Sequence, residues 1–98
     1  MIYTVYVLYS QVHDQIYVGQ TSNLIQRIHS HNKYGKDWTR KYRPWQVIYC
    51  EYFDQRPEAR KREKQLKSAL ARRIIRIKIE QEGIRNGYID LSKDDTLV

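Results

Sequence analysis

The sequence predicts an α+β fold, and three observations carry that reading. Three short runs are rich in β-branched and aromatic residues, the first two near enough to pair as a hairpin. An amphipathic stretch separates the second run from the third, and a long run of helix formers comes after it. At 98 residues the chain makes one domain, because one core of this size leaves nothing over for a second.

Ile2 to Tyr9 reads Ile-Tyr-Thr-Val-Tyr-Val-Leu-Tyr, almost without helix formers, and predicts the first strand. Ser10 to Gln15 is polar and turn-like, and Ile16-Tyr17-Val18 up to Gly19 predicts a second strand completing an ordinary hairpin. Thr21-Ser22-Asn23 offers capping side chains ahead of Leu24, Ile25 and Ile28, whose spacing predicts an amphipathic helix to about Asn32. Lys33 to Pro44 lacks periodicity, contains Gly35 and Pro44, and reads as a loop; Trp45 to Phe53 predicts the third strand. From Pro57 the helix formers run past Ser68, as one long helix or as two joined near that serine, while Ile75, Ile77 and Ile79 also alternate as a strand would. Gly83 and Gly87 interrupt the chain beyond this run, giving a domain over 1–83 and a partly flexible tail over 84–98.

The formal charge is +7 and the pI about 9.6, values that favour polyanionic partners. Its placement is uneven. Between Arg60 and Lys78 stand nine Lys or Arg against one acid, Glu63, so this stretch carries +8 and the remainder of the chain −1. Cys50 is the only cysteine, which excludes an internal disulfide or a cysteine-built metal cluster and fits a reducing compartment. No charged N-terminal region leads an apolar run, and no apolar stretch approaches the ~18 residues of a membrane span. The expectation is a cytoplasmic protein without a membrane partner.

Some residues sit where the pattern predicts others. Glu63 lies four residues after Ala59 and three before Leu66, so its carboxylate falls toward the buried face of a helix rich in cations. A carboxylate there costs several kcal/mol unless it is met, either by a structural ion pair with a neighbouring Arg or by a metal ion. Arg27 and His31 share one helical face at the margin of the apolar stripe. Arginine at such a margin either snorkels or clamps a phosphate with its planar fork. Nine tyrosines are many for this length, and Tyr6 and Tyr17 stand within the hairpin strands. Their rings serve as amphipathic core bulk or, beside a cation, as phenols able to hold or deprotonate a water.

Taken in order, these residues resemble the GIY-YIG nuclease family. Thr4-Val5-Tyr6 stands at its first motif and Tyr17-Val18-Gly19 at its second; Gln20-Thr21-Ser22-Asn23-Leu24 with Arg27 and His31-Asn32 matches its first helix, and Arg62-Glu63-Lys64-Gln65-Leu66-Lys67 its glutamate helix. The likeness covers roughly the first 70 residues and is nearest to small stand-alone members. Thr4 replaces the family's Gly, and Gln20 stands where some relatives have a lysine. The resemblance implies a small three-stranded antiparallel sheet flanked by helices. It also implies a water activated by Tyr6 with Tyr17, a phosphate clamp in Arg27, assistance from His31, and one Mg²⁺ or Mn²⁺ on Glu63. Mg²⁺ keeps several waters and draws ligands from substrate phosphate, which suits a single carboxylate.

The function so implied is a metal-dependent endonuclease cutting nucleic acid, DNA before RNA, in a structure-specific, repair or recombination setting. The alternative is a nucleic-acid-binding module that keeps the fold with little activity; only the enzyme needs the cation for product formation. The backbone grip would fall to Lys33, Lys36, Arg40, Lys41 and Arg43 in the loop and to Arg60, Lys64 and Lys67 on the helix. Tyr34, Trp38, Tyr42 and Trp45 interleave with the loop cations, either to stack on distorted or single strands or to edge the core. Oligomeric state and protein partners leave no mark in the sequence.

Overall fold

The computed structural model describes residues 1–34, 37–83, 89 and 91. Gly35, Lys36, Asn86, Gly87 and most of the expected tail lie outside them, as do the side chains of Tyr34 and Trp38. The elements are β1 (Tyr3–Ser10), β2 (Gln15–Thr21), α1 (Leu24–His29), a π-helical turn (Ser30–Tyr34), α2 (Asp37–Lys41), β3 (Gln46–Phe53), α3 (Arg56–Leu66) and α4 (Ala69–Glu82). The strands form one antiparallel sheet in the order β2-β1-β3 with helices against it, the α+β architecture that the resemblance implied.

Central placement explains β1. Residues Thr4 to Ser10 are all buried, so both faces of the strand are covered and the run shows no polar alternation. Val5, Val7 and Tyr9 join Ile16, Val18 and Ile48 with Ala59 and Leu66 of α3 and Ala71 and Ile75 of α4. Tyr6 and Leu8 face the other way and pack with Trp45, with Leu24 and Ile28 of α1 laid against them. The faces divide the work: one holds the main core, the other a smaller core beneath α1.

Local chemistry places the helix ends. Asn23 caps α1, its side chain accepting from the Gln26 N–H at 3.2 Å. The basic run is two helices, because Ser68 takes an extended ψ of 157° and its hydroxyl accepts from the Ala71 N–H at 3.1 Å. Between Ile75 and Ile79 the alternation is coincidental: Ile75 is buried and Ile77 exposed on a helix. Gly83 ends α4 at φ 71°, where a side chain would be strained.

The expected loop from Lys33 to Pro44 is partly helical, since it contains the end of the π turn and α2. Packing rather than periodicity orders it: the Trp45 indole donates to the Thr39 carbonyl at 2.8 Å, and the Asn32 amide grips the Trp45 backbone at 2.6 and 3.0 Å. Two cations of α4 turn inward. Arg72 donates to the Ile16 carbonyl at 3.3 Å, and Arg76 to the Asp14 carbonyl at 3.1 Å and carboxylate at 2.9 Å, covering edge groups of β2 and its turn. Ile89 and Leu91 are buried in the main core, and the Ile89 N–H reaches the Ile48 carbonyl at 2.8 Å. A boundary after Gly83 therefore does not divide these two residues from the core.

Ile75 is fully buried while Leu70, on the same helix, is 52% exposed. Urea unfolding should accordingly show Ile75→Ala losing about 2–5 kcal/mol of stability, and Leu70→Ala roughly 0.5 kcal/mol or less.

Candidate functional site

Tyr6 and Gly19 are direct cross-strand partners on β1 and β2. The Tyr6 side chain, 0% exposed, passes so close to Gly19 that a Cβ there would lie 2.6 Å from its hydroxyl oxygen and 3.0 Å from the Tyr17 ring. The glycine is required by close approach, the usual meaning of glycine inside a strand. Tyr17, two residues earlier on the same face, sets its ring centroid 6.3 Å from that of Tyr6.

The helix and its π turn bring two further groups to these phenols. The Tyr6 hydroxyl and His31 Nε2 are 3.1 Å apart, and His31 is 5% exposed with its ring 4.8 Å from that of Tyr17. Burial, and secondarily the charge of Arg27, hold the His31 pKa below the ordinary 6.5, so the imidazole is neutral at neutral pH and its Nε2 is free of a proton in the tautomer that accepts from Tyr6. Burial pushes the Tyr6 phenol up to about 12, against the opposing pull of a hydrogen bond from Arg27. The Arg27 guanidinium lies close enough to the phenols of Tyr6 and Tyr17 to interact with both, and the interaction with Tyr6 is the main reason its own pKa is raised. The rest of Arg27 is exposed, and a polar hollow of about 310 Å³ lined by Thr21, Ser22, Asn23, Gln26, Arg27 and Ser30 opens beside it.

Glu63 arrives from α3. It leaves the helix about 100° around from its neighbour Arg62. Arg62 goes to Glu51 of β3 at 2.9 Å, while Glu63 lies near enough to Tyr6 for its charge to help raise that phenol. The Glu63 carboxylate, 20% exposed, pairs with Lys67 at 3.0 Å, and Lys67 is 48% exposed. Its partner is thus a surface lysine rather than the neighbouring arginine that one reading of the pattern allowed. Among the described residues no three His, Cys, Asp or Glu side chains converge. A cation at Glu63 would have one carboxylate, and this all-oxygen, single-anion site fits a hydrated hard ion.

Of the expected backbone-gripping cations, Lys33, Arg40, Lys41, Arg60 and Lys64 are exposed. Arg60, Glu63, Lys64 and Lys67 fall on one stripe of α3 at spacings of three, four and seven. Arg43 is partly committed, donating to the Asn32 and Lys33 carbonyls at 3.4 and 3.3 Å. Trp45 is buried, with its ring 6.2 Å from that of Tyr17, so it walls the site and does not stack on ligands. A hollow of about 440 Å³ along Glu51, Phe53, Glu58, Lys61, Arg62 and Gln65 lies at the other side of α3, apart from these groups.

Two residues named in the motifs carry structural roles at the site that the sequence does not assign. Asn32 binds the Trp45 backbone across 13 positions, and no local signal announces a partner so distant. Gly19 was legible in principle, as a glycine within a strand-like run.

A family model for the GIY-YIG catalytic domain matches residues 2–75. A UPF0213 protein of Pediococcus pentosaceus is 45% identical over 53 residues, covering 53% of this chain and 56% of that one. The UPF0213 protein CPE1444 of Clostridium perfringens is 38% identical over 55 residues, 55% of this chain and 59% of the other. The matched segment thus spans little more than half the length of these curated relatives. The fold is similar to that of the UPF0213 protein BH0048 of Bacillus halodurans, solved by solution NMR, at a TM-score of 0.50 and 24% identity over 85% of this chain and 92% of that one. With its first strand, hairpin, first helix and glutamate helix all inside the matched range, the chain belongs to the GIY-YIG catalytic domain family.

Proposed function

We propose that this chain is an endonuclease that hydrolyses a phosphodiester bond in DNA with the help of one divalent cation, Mg²⁺ or Mn²⁺, and that it serves a structure-specific repair or recombination step. The observation that carries the reading is the meeting of Tyr6, Tyr17, Arg27 and His31, with Glu63 in electrostatic reach, from β1, β2, α1 with its π turn, and α3. Membership of a nuclease family supports it.

The chemistry rests on the protonation states. With its pKa near 12 the Tyr6 phenol is not a standing phenolate at neutral pH, so it acts best as a relay. As a water oxygen bonds to phosphorus, its proton passes to the Tyr6 oxygen and the Tyr6 proton passes to His31 Nε2; one bridging P–O bond then breaks, its electron pair staying on the leaving oxygen, which takes a proton from solvent water. Arg27, held on the phenols, faces the phosphate oxygens where negative charge grows. Tyr17 orients Arg27 and the water. Glu63 would hold the cation, which supplies positive charge to the phosphate and leaving oxygen. A cation there would compete with Lys67 for Glu63, and a released Lys67 would be available to a substrate phosphate together with Arg60 and Lys64 on the same stripe. That stripe spans about 10 Å of helix, enough to track a strand past the site.

Branched, duplex and single-stranded DNA incubated with Mg²⁺ or EDTA tests the reading. Cleavage should need the cation, and Arg27→Ala and Glu63→Gln should each lower kcat about 10²–10³-fold with far smaller changes in DNA affinity measured in EDTA. Cation-independent cleavage would overturn the role given to the cation, and cleavage at the wild-type rate in both variants would sink the enzyme reading and leave a binding module. Gly19→Ala should push the Tyr6 hydroxyl off its site and lower kcat roughly 10²-fold, at a stability loss of about 1–3 kcal/mol read by urea titration.

His31 makes stability depend on pH. Its folded-state pKa is below the unfolded 6.5, so beneath pH 6.5 the unfolded chain takes up a proton that the folded one resists. Stability at this residue is thus complete above pH 6.5 and declines as pH falls toward the folded value. Urea midpoints compared at pH 7.5 and 5.5 should drop for the wild type and drop less for His31→Gln.

A further inference from the structure

We propose that Tyr52 is a stacking platform for the nucleobase next to the scissile phosphate, which makes an unpaired strand the preferred substrate. This rests on the endonuclease reading above. Tyr6 is paired across the sheet with Cys50, and the next same-face row pairs Thr4 with both Thr21 and Tyr52. Paired residues share a face, and Cys50 packs with the cluster that contains Tyr6, so Tyr52 belongs to the face that carries the phenols. The Tyr52 phenol is near enough to the Cys50 thiol, in the row of Tyr6, to oppose the rise that burial gives that thiol's pKa.

Tyr52 is nevertheless 65% exposed, unlike the buried Tyr6. Two residues along a strand and one strand across put the Tyr52 backbone about 8 Å from that of Tyr6, within the span of one to two nucleotides of an extended strand. A phosphate seated at Arg27 therefore puts a neighbouring nucleotide within reach of the ring, while the cations of the α3 stripe draw the backbone. Every base offers a π face to such a ring, but in an intact duplex those faces are already stacked on one another. The two threonines of the Tyr52 row are small and add no competing bulk. The site thereby distinguishes paired from unpaired strands without reading base identity.

The experiment titrates wild type, Tyr52→Phe and Tyr52→Thr in EDTA with single-stranded DNA carrying 2-aminopurine at successive positions, and with the same sequence as duplex. Threonine keeps the strand preference of this exposed site, and circular dichroism checks the fold. Wild type and Tyr52→Phe should quench 2-aminopurine at a position beside the point of cleavage. Tyr52→Thr should lose that quench and bind the single strand about 5–150-fold more weakly, the equivalent of stacking one base, with duplex affinity changed less than about twofold. Unchanged quenching and affinity in Tyr52→Thr, or equal losses in Tyr52→Phe or on duplex, would overturn the platform. If cation- and Arg27-dependent cleavage persists beside such a result, only the platform falls; a wild type that binds no nucleic acid removes the endonuclease reading as well.

Discussion

The phenol of Tyr6 lies against the backbone of Gly19 with no space for a side chain between them, and the rest of the site is arranged around that contact. It lets a buried hydroxyl cross from the central strand toward β2, where His31 and Arg27 meet it. The arrangement has an electrostatic cost. Burial opposes ionisation of the phenol, and the group that partly offsets burial is the Arg27 guanidinium beside it.

The sheet tolerates this because its faces are used differently. The larger core, with α3 and α4, supplies most of the buried apolar area, so the face under α1 can hold polar atoms within a small cluster of Tyr6, Leu8 and Trp45. Trp45 is fixed at both ends, by its indole on Thr39 and its backbone on Asn32, and so provides a rigid wall beside Tyr17. Helix α3 serves both faces, since Ala59 and Leu66 enter the main core while Glu63, one step around the helix, addresses the phenols.

The concentration of positive charge between Arg60 and Lys78 has two physical uses that composition does not separate. On α3, Arg60 and Lys64 point to solvent along the stripe of Glu63. On α4, Arg72 and Arg76 turn back to satisfy carbonyls and a carboxylate at the β2 edge, where an exposed strand would otherwise offer itself to another chain. Net charge thus overstates the cationic surface left for a polyanion. The exposed Tyr52 lies on the sheet face of the phenols, where an aromatic surface complements the remaining cations.

From sequence alone, the three strands, the Asn23 cap, the first helix and the option of a break at Ser68 were legible, because each depends on side chains acting within a few residues of themselves. The ordered series from Tyr6 to Glu63 was legible too, through the motif it resembles. The helical turn of Asp37–Lys41, the burial of Trp45 and the return of Ile89 and Leu91 to the core were not, since they depend on partners far along the chain. Sequence by itself determined which chemical groups are present and which local conformations they favour. Only the tertiary structure decided that Lys67 and not a neighbouring arginine meets Glu63, that two arginines of α4 close a sheet edge, and that Tyr6 rests on Gly19. The reason is that pairing register and helix rotation set those neighbours, and neither is a property of any short stretch of residues.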